Sequence, residues 1–189
     1  MNALDHARTY VAASLRELRG AKNRHPDIDA FNRFCRVPVG SPYCAAAISY
    51  CFHLAAGDLS AGRGLAFPSS ASSQQLMRSL RAMSGYSESA TDLLQMRGAL
   101  FGWTNPGDPA HGHIGFVAHR YHLQGKVVAI GTVEFNTSPA TGSRDGDGAY
   151  ALRRAVPMDR GRKLWFLCTD AFLGGCWWPD PKAATASPH

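Results

Sequence analysis

No stretch of this 189-residue chain is apolar for long enough to cross a membrane. The N-terminus offers no secretory leader either, since Asp5 falls within MNALDHARTY and no apolar run follows. The chain is therefore expected to be soluble and made in the cytoplasm, and to need another route if it acts outside. There is no internal repeat and no RNP-like, zinc-finger or helix-turn-helix pattern, so nucleic acid is not an expected partner. Acid is scarce beside base: 14 Asp and Glu against 20 Lys and Arg leave a net charge of +6. Such an excess suits an anionic polymer, a membrane surface or an anionic cell wall, and no Lys or Arg cluster is dense enough to choose among them. With 18% charged and 45% hydrophobic residues, the chain has the make-up of one globular domain with a real core.

Cysteine is sparse and odd in number, so at least one of the five thiols is unpaired within a monomer. Cys44 and Cys51 lie seven residues apart, about 10 Å along a helix axis, which is too far for a disulfide. Cys168 and Cys176 are the expected pair in an oxidising compartment.

The most informative stretch is VPVGSPYCAAAISYCFHL, residues 37–54. It reads as a loop running into a buried helix. Ser41 is suited to the N-cap and Pro42 to the first helical position. Cys44 then falls at about the third helical position, where the helix dipole favours negative charge on its sulfur. Ala45, Ala46 and Ala47 let another element approach closely. Cys44, Ile48, Cys51 and Ala55 recur at helical spacing and should face inward. A thiol so placed suits nucleophilic catalysis, and a buried structural cysteine is the plain alternative.

Elsewhere, Leu4, Ala7, Val11, Leu15 and Leu18 predict an amphipathic helix over residues 3–19, stopped by Gly20. Residues 27–35 predict a short helix presenting Ile28, Phe31 and Phe34. Residues 57–73 read as a Gly/Ser/Ala-rich surface loop. Ser70 or Ser72 then opens a helix with an apolar face of Leu76, Met77, Leu80 and Met83, and residues 88–96 suggest a further short turn. From Gly98 onward the texture is strands: ALFGWT, HIGFVAH, KVVAIGTVEF, AYALRRAV and KLWFLC, parted by turns such as NPGDPAHG and SPATGSRDGDG. Helices first and sequential strands second predict an α+β fold on an antiparallel sheet. The last residues, PDPKAATASPH, read as a frayed tail.

A thiol nucleophile needs a base, and the base needs an orienting partner. His113 opens the apolar strand HIGFVAH, a rigid place from which to aim an imidazole. VEFNT on the next strand puts Glu134 and Asn136 two residues apart and hence on one face. Either or both can serve His113.

Together, GSPYCAAAISYC, GHIGFV, VEFNTS and GDGAYALRR resemble the motifs of CHAP-type cysteine amidohydrolase/peptidases, which are similar to NlpC-like cell-wall peptidases. The resemblance runs over about residues 37–170. It implies a papain-like α+β domain over residues 37–178, preceded by a helical segment (residues 1–36) and followed by a tail (residues 179–189). It implies amide hydrolysis in peptidoglycan, with Cys44 as nucleophile, His113 as general base, and Glu134 and Asn136 orienting that base. Tyr43 stands where the family usually has tryptophan and keeps an aromatic wall beside the substrate. The implied chemistry is covalent, needs neither cofactor nor metal, and calls for a monomer. A chain without a leader fits a phage lysis enzyme released by a holin, or an injected antibacterial toxin with a cognate immunity protein.

Two other readings compete. His111 and His113 form an H-x-H pair, with His119 and His122 nearby, as in zinc-dependent cell-wall peptidases; His53 and Asp58 upstream do not have the spacing such a site needs. A non-catalytic wall-binding module is the other, with Trp103, Trp165, Trp177 and Trp178 available to stack on sugars.

Overall fold

The computed structural model describes residues 1–58, 66–83, 86–88, 99–139, 146–156, 162, 164–169 and 172. Four helices come first: α1 (Ala3–Ala12), α2 (Pro26–Phe34), α3 (Cys44–Asp58) and α4 (Ser73–Arg81). The strands are β1 (Tyr86–Ser87), β2 (Ala99–Asn105), β3 (Asp108–Leu123), β4 (Lys126–Thr137), β5 (Gly148–Ala155) and β6 (Leu164–Cys168). They form one sheet in the order β1-β6-β2-β3-β4-β5, antiparallel throughout. The α+β arrangement expected from the sequence is present, and none of the described helices is long and apolar enough to cross a membrane. The residue 88–96 turn, the Cys168–Cys176 pair, the tail, Trp177 and Trp178 fall wholly or partly outside the described residues.

Helix α1 is shorter than predicted because Ser14 takes a left-handed φ of 53°. Leu15 N–H bonds to the Tyr10 carbonyl (3.0 Å) and Ser14 N–H to that of Val11 (3.0 Å), a Schellman ending with serine where glycine is usual. Leu15 is still buried, but Leu18 is 52% exposed, so the apolar stripe outlives the helix by one residue of consequence. The chain then turns along the free edge of β5, where Arg16 bridges Gly148. Helix α2 ends by the same device at Arg36. Ser72 caps α4 by accepting from Gln75 N–H, while Met83 lies beyond the helix and is exposed.

The start of α3 also differs from expectation. Cys44 is its first residue, and the Tyr43 carbonyl accepts the first helical bond from Ala47 N–H (2.9 Å), so Ser41 is not the cap. Its Cys44, Ile48, Cys51 and Ala55 side chains are buried, as the spacing predicted. They join Leu4, Phe31, Leu80, Phe116, Phe135 and Trp165 in a core between the helices and one sheet face. Phe101, Trp103, Val117, Ile130, Leu164 and Phe166 form a second cluster on the other face. Burial of this kind contributes about 1.5–3 kcal/mol for each large apolar side chain. Helix α3 packs on β3 and β4, and this sets its N-terminal thiol against the strands that carry the polar residues.

Candidate active site

Strand register brings the base and its partner together. Trp103 is the cross-strand neighbour of His113, and Gly115 is that of Glu134. His113, Gly115 and Glu134 therefore share a face, with Glu134 one step along from the imidazole. The bare Gly115 leaves the space through which Glu134 leans. A Cβ there would meet Phe101 Cε1 at 2.5 Å and Glu134 Cγ at 2.9 Å. Gly115→Ala is accordingly expected to cost about 1–3 kcal/mol by overpacking and to displace the carboxylate, lowering any activity as well. Thermal unfolding alongside an activity assay checks both effects.

His113 Nε2 lies 2.9 Å from Glu134 Oε2, with both side chains fully buried. A carboxylate can only accept, so the neutral ring carries its proton on Nε2 and leaves the Nδ1 lone pair open. Nδ1 makes no hydrogen bond of ordinary length and angle, yet Cys44 is near enough to act on the ring both as a hydrogen-bond partner and by charge. The Trp103 ring, 4.7 Å from the imidazole centroid, fixes its plane. Burial opposes charge on His113, but Cys44 and Glu134 outweigh it and raise the ring's pKa from 6.5 to about 9.

Glu134 is held in turn. Arg154 Nε donates to Oε1 (2.8 Å) and Nη2 to Oε2 (2.6 Å), and the Thr132 hydroxyl donates to Oε1. Burial alone would push this carboxyl up; hydrogen bonds from His113 and Arg154 prevail and lower it from 4.5 to about 2. A depressed carboxyl contributes stability that is present above pH 4.5 and lost as pH falls through 2. At order of magnitude the contribution is about 3 kcal/mol. Thermal midpoints measured from pH 6 to pH 2 should show the loss, and the step should shrink in Glu134→Gln.

Asn136 is buried but does not share Glu134's role at the ring, because Glu134 occupies Nε2. A bulge between Phe135 and Thr137, with Asn136 at φ 55°, breaks the alternation that would have kept the two on one face. Asn136 instead lines the cleft alongside Cys44, and its backbone lies against the Tyr43 hydroxyl. Tyr43 and Trp103 do not form a substrate wall: both are completely buried. Trp103 backs His113 on one side and takes the Arg154 guanidinium at 5.3 Å, while Trp165 is a core residue, so neither tryptophan offers a sugar platform.

The cleft, about 840 Å3, is lined by Cys44, Cys35, Asn136, the 40–42 turn, the 69–73 segment and residues 110–112. Burial pushes the Cys35 thiol up, with a weaker opposing hydrogen bond from Ser49, which leaves Cys44 as the better-placed nucleophile. As the first residue of α3, Cys44 has a backbone N–H without an intrahelical acceptor, available to an oxyanion.

The histidines weighed for zinc do not converge. His111 Nδ1 pairs with Asp108 at the exposed end of β3, while His119 and His122 are exposed farther along that strand. His53 stacks on Phe34, and Asp58 takes the N-terminal ammonium and His6. Among the described residues no three His, Cys, Asp or Glu side chains are grouped to hold a metal.

Sequence reading did not single out Arg154, Thr132 or Lys22. A signal for Arg154 existed, because a buried glutamate calls for a cation and ALRR lies on the neighbouring strand. Comparisons of the chain with protein-family models, curated proteins and solved structures find no match in any of the three.

Proposed function

We propose that this chain is a thiol-dependent amide hydrolase of the papain-like kind, and that its substrate is an amide bond of peptidoglycan. The observation that carries the reading is one arrangement: His113, fixed through Nε2 to the buried Glu134, turns Nδ1 toward Cys44 at the head of α3, beside an open cleft. The resemblance of GSPYCAAAISYC, GHIGFV, VEFNTS and GDGAYALRR to CHAP-type motifs supplies the substrate.

In the proposed reaction His113 Nδ1 takes the Cys44 proton, and the sulfur attacks the amide carbonyl. The Cys44 N–H receives the developing oxyanion. The imidazolium then protonates the leaving amine, and water, deprotonated by the same ring, releases the acyl group. Glu134 stays ionised throughout, because Arg154 holds it so. The net charge of +6 favours docking to an anionic wall, an attraction that salt would screen. Delivery by a lysis system or by injection, with an immunity protein in the second case, belongs to the same proposal.

The test is mass spectrometry of purified peptidoglycan digested with the protein. New soluble fragments are expected, and their masses distinguish cleavage of the stem peptide from its release off the glycan. Intact peptidoglycan after prolonged digestion would count against the reading.

A further inference from the structure

Charge in the cleft is one-sided. Among the described residues that line it, Lys22 alone carries a permanent charge, and no carboxylate is present. The remainder is small and polar: serine hydroxyls between Ser69 and Ser73, with Asn23, Gln75 and His111. No Phe, Tyr, Trp, Leu or Ile side chain lines it, so a bulky apolar group would find nothing to pack against. A cation without a neighbouring anion, at a site where water is partly excluded, attracts an anionic group more strongly than it would on an open surface.

Lys22 also sits on a braced loop. The next residue, Asn23, is buried in a left-handed conformation (φ 55°) and donates Nδ2 to the Gly40 carbonyl at 3.0 Å. Arg24 forks onto Asp29 at 2.9 and 3.0 Å, closing the loop against α2. From α2, Asn32 Nδ2 donates to the Ser41 carbonyl at 3.1 Å. Gly40 and Ser41 lead through Pro42 and Tyr43 directly into Cys44. The backbone that presents Lys22 and the backbone that presents the thiol are thus tied together by buried amide side chains. An asparagine in an αL conformation is tolerated at low cost, and its retention here fixes where the lysine stem emerges.

We propose that Lys22 is the carboxylate-binding residue of this cleft, and that the cleft takes small-residue peptides bearing a free carboxylate. Calling such a peptide the substrate rests on the hydrolase reading; the binding preference stands apart from it. Binding is therefore measured on the full chain with Cys44→Ala, which removes turnover. The probes are two fluorescently labelled peptides of alanine and glutamate, identical except that one has its side-chain carboxylates free and the other has them amidated.

The free acid should bind about tenfold more tightly at low salt, as expected for one charge-assisted contact, and the ratio should fall as salt rises. Adding Lys22→Ala should bring the ratio to about one without moving the thermal midpoint, since Lys22 is exposed, and Lys22→Arg should keep most of it. Equal binding of both peptides, no binding of either, or a preference that survives Lys22→Ala would each overturn the proposal. A wild-type protein that shows the Lys22-dependent preference yet cleaves no peptidoglycan would overturn the hydrolase reading and leave this one standing.

Discussion

Cys44→Ala is expected to abolish peptidoglycan cleavage, lowering the rate by at least about 10⁴-fold, because covalent catalysis has no substitute once its nucleophile is gone. The fold should survive. Cys44 is 6% exposed at the start of α3 and borders the cleft, so removing its sulfur opens no sealed cavity. Alanine is also the strongest helix former, and the thermal midpoint should stay within the equivalent of about 1 kcal/mol. Cys35→Ala is the matched control. That thiol lines the same cleft, but burial pushes it up, and activity should persist. Chelators should leave the wild type unaffected. Equal activity in wild type and Cys44→Ala would eliminate the thiol mechanism.

Glu134→Gln carries the second large effect, and it should act on stability and catalysis together. The substitution removes the negative member of a buried set, leaving the Arg154 guanidinium without its bidentate acceptor. Breaking a buried pair on one side typically costs about 3–5 kcal/mol. Arg154→Met combined with Glu134→Gln should cost less than the two single changes summed, because the second substitution removes an already uncompensated charge. On the catalytic side, an amide can donate or accept, so it no longer dictates which nitrogen of His113 carries the proton. The ring also loses one of the contacts that hold its pKa at about 9. A fall in kcat of about 10³–10⁴-fold is expected, by analogy with loss of the orienting acid in other triads, together with an alkaline limb moved to lower pH. Denaturant unfolding and a pH–rate profile of the folded variant separate the two parts. A profile unchanged in shape would mean that Glu134 only supports the fold.

Much of this arrangement is legible from local pattern. The buried run of α3, the placing of Cys44 at its start and the alternation of the strands follow from residue spacing, because a helix or strand exposes its own period in the sequence. His113 at the head of HIGFVAH and Glu134 in VEF could be picked out by the same means. Two boundaries escaped. Ser14 and Arg36 end helices in left-handed conformations where glycine would have signalled the stop, and the energetic penalty at a single residue is small enough for packing to override.

The rest depended on contacts between residues far apart in the chain. Whether Glu134 or Asn136 serves His113 was decided by a bulge at Asn136, which no local periodicity announces. Tyr43 and Trp103, aromatic and adjacent to reactive residues, looked suited to a substrate wall; tertiary packing buries both, because burying a large ring is more favourable than leaving it in water. Arg154 reaches Glu134 from the neighbouring strand, and Lys22 reaches the cleft through a loop tied to Gly40. The sequence by itself determined the elements and the chemical inventory, since these rest on short-range periodicity and residue type. Only the tertiary structure decided which charge faces which, because strand register and loop bracing are set by the summed packing of the whole core.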